Sequence, residues 1–205
     1  MWNPGIVLAL ALSAVCLGDD YAAELQKHRA DRDVEYKTKA STPFKSNKAR
    51  KKFKHLNYFE ADQAWIVQAE VRRFETPDTL QMPTSAGTIK DFLRWAELYF
   101  EQSGTSYSLE AYRSIQNIKH PVYSRYLFIP FTDLTSGEEC YGGGRYLDVE
   151  IPAEDADLME IDFNYAYNPY CAYSDGWFCP IPPARNFLEV EVKAGEKNYG
   201  DKDSH

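Results

Sequence analysis

The sequence predicts a mainly β fold: an antiparallel barrel or sandwich of about seven or eight strands, preceded by one or two N-terminal helices. Three observations lead there. From Ala64 onward, short runs alternate apolar and polar side chains, most clearly where Val67, Ala69 and Val71 interleave with Gln68, Glu70 and Arg72. Turn-forming clusters such as Pro83-Thr84-Ser85-Ala86-Gly87 punctuate these runs at close intervals, which suits antiparallel strands rather than βαβ units. By contrast, Asp20 to Thr38 holds no Gly or Pro and is rich in Ala, Glu, Lys and Arg.

The elements follow in order. Met1 to Gly18 has an apolar run from Ile6 to Val15, then small residues and Asp19-Asp20, the layout of a secretory signal peptide cleaved after Gly18. The expected location is therefore secreted or periplasmic, with no transmembrane segment once the signal is removed. Asp19 or Asp20 suits the cap of the first helix, and Glu24 with His28 and Glu35 with Lys39 have the spacing of supporting side-chain pairs. Ser41-Thr42-Pro43 breaks that helix. Lys45 to Lys54 holds six basic residues and no acid; it reads as a solvated second helix in preference to a patch for anions or anionic lipid.

Ile89 to Phe100 fits both a helical face and period two, and flanking Gly87 and Gly104 with its aromatic content favour a strand. Further strands are expected at Ser108–Ile115, Arg125–Phe131, Gly144–Ile151, Met159–Phe163 and Phe187–Ala194, the last with Leu188, Val190 and Val192 alternating against Glu189, Glu191 and Lys193. The expected organisation is thus a signal peptide (1–18), a helical arm (19–56), a β domain (57–198) and a loose tail (199–205).

Composition narrows the function. At 205 residues the chain suits one domain with a short arm, and 44% hydrophobic with 15% aromatic residues excludes a disordered chain. Thirty-one acids against 23 Lys and Arg leave a net charge of −8, which argues against binding nucleic acid through phosphate neutralisation. Cys16 would leave with the signal. In an oxidising compartment Cys171 and Cys179, the near pair, form the natural disulfide, and Cys140 remains as a buried spare thiol. No His follows that pair at ligand spacing, and the acids from Glu150 to Asp162 do not match an EF-hand, so no metal or other cofactor is expected.

The stretch 128–197 carries the densest motifs: Phe131, Asp133, Thr135 and Gly137, then Tyr141-Gly142-Gly143-Gly144-Arg145-Tyr146, Asp162-Phe163-Asn164, Tyr167-Asn168-Pro169, Cys171, Cys179, Pro182, Asn186 and Glu196. In these residues the chain resembles the bacterial and archaeal family catalogued as domain of unknown function 1684. Cys140 departs from that pattern, where a small polar residue is expected. The resemblance implies an architecture and a candidate site, and no activity.

Read chemically, Gly142-Gly143-Gly144 allows positive φ or a close approach, but no Gly-Lys-Ser/Thr follows as a P-loop requires. Arg145 has two readings: recognition of a carboxylate or phosphate, or a buried ion pair with Asp148 or Asp162. Pro169 to Pro183, with Tyr170, Tyr173, Trp177 and Phe178, is an aromatic loop that either packs on the core or stacks against a sugar or another planar or apolar ligand. The expected site is a polar-aromatic pocket of Tyr141, Arg145, Asp162, Asn164, Tyr167 and Glu196, taking an unidentified small molecule. A hydrolase using Asp162 and Glu196 as acid and base is the alternative, and a purely structural protein the third reading.

Overall fold

The computed structural model describes residues 13–38 and 42–200. Most of the expected signal segment 1–18, and the last five residues of the tail, lie outside the described residues. The helical arm comprises α1 (Ser13–Thr38) and the short α2 (Asn47–Lys52), whose first turn is capped by the Ser46 hydroxyl accepting from the Ala49 N–H. The eight strands are β1 (Ile66–Arg73), β2 (Thr79–Pro83), β3 (Ile89–Gln102), β4 (Thr105–Ser114), β5 (Tyr126–Asp133), β6 (Arg145–Glu150), β7 (Leu158–Asp162) and β8 (Phe187–Leu188).

They form one curled half-barrel sheet in the order β6-β5-β4-β3-β1-β7; β2 pairs with the start of β3, and β8 lies beside the end of β5. Every pairing is antiparallel except β5 with β8. The helix-or-strand ambiguity at 89–100 resolves as a strand because β3 has partners along its whole length. Its turn into β4 is a two-residue loop, Ser103-Gly104, with both φ angles positive (51° and 78°), matching the right-handed twist of a hairpin.

Period two divides the sheet into two faces with different work. Val67, Ala69 and Val71 of β1, Leu98 and Phe100 of β3, Leu109 and Ala111 of β4, Leu127, Ile129 and Phe131 of β5, Leu147 of β6 and Ile161 of β7 point inward and make the main core. The opposite face carries Phe92, Tyr112, Phe128 and Tyr146. One irregularity lets β3 serve both faces. Arg94 pairs with Tyr112 but Ala96 with Ala111, so Trp95 is the extra residue of a bulge, and the inward parity is set anew beyond it.

The Phe187–Ala194 strand is corrected: only Phe187 and Leu188 pair, with β5. The alternation itself is right, since Leu188, Val192 and Ala194 are buried while Glu189, Glu191 and Lys193 are exposed. The carbonyls of Val192 and Ala194, however, accept from the Arg145 guanidinium instead of a neighbouring strand.

The arm is not a separate unit. Leu25 and Tyr36 of α1 are buried, and Tyr36 packs with Phe44, Phe53, Leu56 and Tyr173 in a second, aromatic core. Tyr199, at the start of the expected tail, stacks into the same cluster against Phe44, Phe53 and Tyr173. Within Lys45 to Lys54 only Asn47–Lys52 forms the expected solvated helix; Phe53 is buried in the aromatic core, and Lys45 lies 3.3 Å over the Trp177 ring.

Cys171 and Cys179 are joined in a disulfide, and Cys140 is a buried free thiol whose pKa burial pushes up. Closing so short a loop stabilises the fold mainly by restricting the unfolded chain. Cys179→Ser is expected to lower the urea unfolding free energy by roughly 2–3 kcal/mol; an unchanged midpoint would mean that the bridge constrains nothing.

Candidate functional site

A cleft of about 630 Å³ opens on the sheet face that turns away from the main core. Its size lies within the ordinary range of small-molecule sites, roughly 300–1,000 Å³. Three layers build it. The floor is the outer face of the sheet: Lys90 and Phe92 of β3, Ser114 of β4, Tyr126 and Phe128 of β5, and Tyr146 and Asp148 of β6. One wall is α1, through Arg32, Glu35 and Tyr36, which share a helix face by their three- and four-residue spacing. The other is the disulfide-pinned loop, through Tyr167, Tyr170, Trp177 and Phe178.

The floor contains a row of aromatic rings. Phe92 stacks on Phe128 at 5.2 Å, Tyr146 meets Phe128 edge-on at 4.8 Å, and Tyr167 meets Tyr146 edge-on at 5.8 Å. The Tyr146 hydroxyl is tied back to the Pro180 carbonyl, which anchors the loop to the sheet. Trp177 donates its indole N–H to the Pro43 carbonyl at 2.8 Å, which fixes the outer lip. Of the lining side chains, Tyr123 and Phe178 are large and exposed.

Two charged groups in this cleft lack a full set of partners. The Asp148 carboxylate lies on the cleft floor, open to solvent there, and accepts the Tyr167 hydroxyl at 2.6 Å. Burial pushes its pKa up, against the Tyr167 hydrogen bond and the more distant Arg32 charge, which pull it down. Lys90 has no hydrogen-bond or ion-pair partner among the described residues, and burial lowers its pKa. Arg32 is different. Burial opposes its charge, but Glu196 at 3.2 Å, aided by Tyr36, Tyr173 and Tyr58, raises its pKa overall.

Asp148→Asn tests the cost of this arrangement. The variant keeps an oxygen for Tyr167 and removes the desolvated charge. Because the folded carboxyl titrates above the unfolded one, the native chain binds more protons in the window between them, and stability falls as the pH rises through it. Asp148→Asn is therefore expected to melt higher than the parent at pH 7, with the gap closing as the pH approaches about 4. A lower melting temperature at pH 7 would show that the carboxylate is stabilised by its surroundings.

Of the six expected pocket residues, the cleft takes one, Tyr167. Arg145 points to the opposite face of β6, where its side chain is fully buried. The ion-pair reading of Arg145 holds, but neither expected partner is correct: it pairs with Asp133 at 2.7 Å and donates to the carbonyls of Val192, Ala194 and Glu196. Gly144, just before it, has φ +86°, and a Cβ there would lie 2.5 Å from the Phe131 carbonyl oxygen, so the third glycine of the run meets both needs of that turn.

Glu196 is also buried, accepting from the Asn168 N–H at 2.8 Å and the Tyr173 hydroxyl at 2.5 Å besides Arg32. Asp162 caps the 3₁₀ turn Phe163–Tyr165 and accepts the Tyr21 hydroxyl at 2.7 Å, while Asn164 bonds both the N–H and the carbonyl of Asp62. Tyr141 packs against the aromatic core. Asp162 and Glu196 share no hydrogen-bond partner among the described residues, and neither lines the cleft.

The reading that missed Asp148, Lys90, Phe128 and Tyr146 had a usable signal. Tyr126, Phe128, Tyr146 and Asp148 occupy alternate positions opposite to the apolar core rows of their strands, so they form a second, polar-aromatic face. The aromatic loop packs on the core through Tyr173, while Tyr170, Trp177 and Phe178 line the cleft.

Comparison with known proteins agrees with this architecture. The chain is similar to an uncharacterized protein of Haloarcula marismortui, solved by solution NMR, at 37% identity with a TM-score of 0.67, covering 88% of this chain and 95% of that one. No curated protein matches. Residues 51–197, which include every strand and the disulfide loop, match the model of a protein family of unknown function, and the chain belongs to that family, DUF1684.

Proposed function

We propose that this protein is a small-molecule-binding module whose ligand occupies the cleft between the outer sheet face, α1 and the disulfide loop. One observation carries the reading: a cleft of about 630 Å³ with an aromatic floor brings the Asp148 carboxylate, hydrogen-bonded by Tyr167, to the same concave surface as Lys90. A concave, mostly aromatic lining with a few convergent charged groups is the usual form of a small-molecule site. The loop that forms one wall is stapled by Cys171–Cys179 and tied to the sheet through Tyr146, so the cleft is formed before a ligand arrives. Export through the 1–18 segment, the second part of the proposal, suits a disulfide in that wall.

The test is a thermal-shift screen of aromatic acids, amines, phenols and sugars, repeated on Ser114→Trp, which places an indole in the cleft. A ligand at 100 times its Kd stabilises the fold by about 2.7 kcal/mol. The expected result is a shift for at least one class that Ser114→Trp abolishes. No shift for any class, or an undiminished shift in the variant, would overturn the proposal.

A further inference from the structure

Resting on that reading, we infer that the cleft is built for an elongated aromatic ligand bearing an anionic group at one end and an ammonium or other hydrogen-bond donor at the other. Two cleft charges without an ion-pair partner among the described residues are opposite in sign and sit at different places along one ring-lined floor. Lys90 lies on β3, beside Phe92, and Asp148 lies on β6, beside Tyr146 and Tyr167. In the sheet order, β5 and β4 separate these strands. The stacked and edge-on contacts of Phe92, Phe128, Tyr146 and Tyr167 run between them, with centroid steps of 5.2, 4.8 and 5.8 Å.

Each end has a defined chemistry. Lys90 offers N–H donors and a positive charge with no carboxylate beside it among the described residues, so an anionic group completes it. Asp148 accepts one hydrogen bond from Tyr167 and has lone pairs left, so a donor on the ligand completes it. Arg32 does not duplicate Lys90, because Glu196 already neutralises it. The rings between the ends offer flat faces to a planar body and no charge. A ligand with both groups gains from each end, while one with a single group leaves the other protein charge without a counter-charge.

The experiment compares three probes by calorimetry: 4′-(aminomethyl)biphenyl-4-carboxylate, biphenyl-4-carboxylate and 4-phenylbenzylamine, on the parent, Lys90→Gln and Asp148→Asn. The expected result is that the bifunctional probe binds the parent at least tenfold more tightly than either single-ended one. Lys90→Gln then removes the advantage of the carboxylate, and Asp148→Asn that of the ammonium. If all three probes bind the parent equally, or if both variants keep the parent's ranking, the inference falls while the cleft remains a binding site. If no probe binds the parent, and the wider aromatic screen is also silent, both the inference and the binding reading fall.

Discussion

Arg145→Met is expected to lower the unfolding free energy by about 3–5 kcal/mol, because it leaves the Asp133 carboxylate buried without its counter-charge. Both side chains are fully excluded from solvent, and the guanidinium also satisfies three backbone carbonyls of the 192–196 segment. In a domain of this size, such a loss corresponds to a melting temperature lower by roughly 6–20 °C. The double variant Asp133→Leu with Arg145→Met is expected to recover part of the loss, since no charge is then stranded, but not the part due to the carbonyls. Urea denaturation of the two variants checks this. A fold that tolerates Arg145→Met with little change would mean that Arg145 is held for another purpose, and would reopen its reading as an anion receptor.

The second large effect is expected at Glu196. This carboxylate joins four parts of the chain: Arg32 of α1 at 3.2 Å, Tyr58 at 3.4 Å, the Asn168 N–H at 2.8 Å and Tyr173 at 2.5 Å. Gly195 enables its position, since with φ +78° a Cβ there would come within 2.6 Å of the Ala166 carbonyl oxygen. Glu196→Ala strands the Arg32 charge and a buried backbone donor together, a loss again of about 3–5 kcal/mol. It also releases α1 from the sheet, so trypsin is expected to cut at Arg29, Arg32 or Lys37 in the folded variant before the β domain is degraded. Simultaneous loss of helix and domain, with no early cut in α1, would show that the arm is held chiefly by the aromatic packing around Tyr36.

These two residues also show how far the sequence could be read. Hydrophobic alternation located the sheet, because a half-buried strand must sort its side chains by face, and it located the inward rows without any knowledge of pairing. The disulfide was legible from the spacing of Cys171 and Cys179, together with the expectation of export. Arg145, Asp162, Asn164 and Glu196 were selected as a pocket for being polar residues in the densest motif, but polar residues in a buried motif are as often its internal hydrogen-bond frame. Parity could have separated the cases at β6: Arg145 lies in register with Leu147, and Asp148 with Tyr146. No local pattern could show that α1 returns over the outer sheet face to make a wall, since that depends on contacts such as Arg32 with Glu196, far apart along the chain. For the same reason, the ion pair expected for Arg145 was assigned to Asp148 or Asp162 and falls instead to Asp133.

On the proposed function, the face of the sheet bearing Asp148, and not the face bearing Arg145, receives a ligand. That proposal is tested most directly by following backbone amide and indole resonances while 4′-(aminomethyl)biphenyl-4-carboxylate is added. The account predicts that Lys90, Phe128, Tyr146, Asp148 and Tyr167 and the Trp177 indole shift together and saturate, while Asp133, Arg145 and Val192 stay in place. Shifts centred on Arg145 and Glu196 with the cleft resonances unmoved would contradict it.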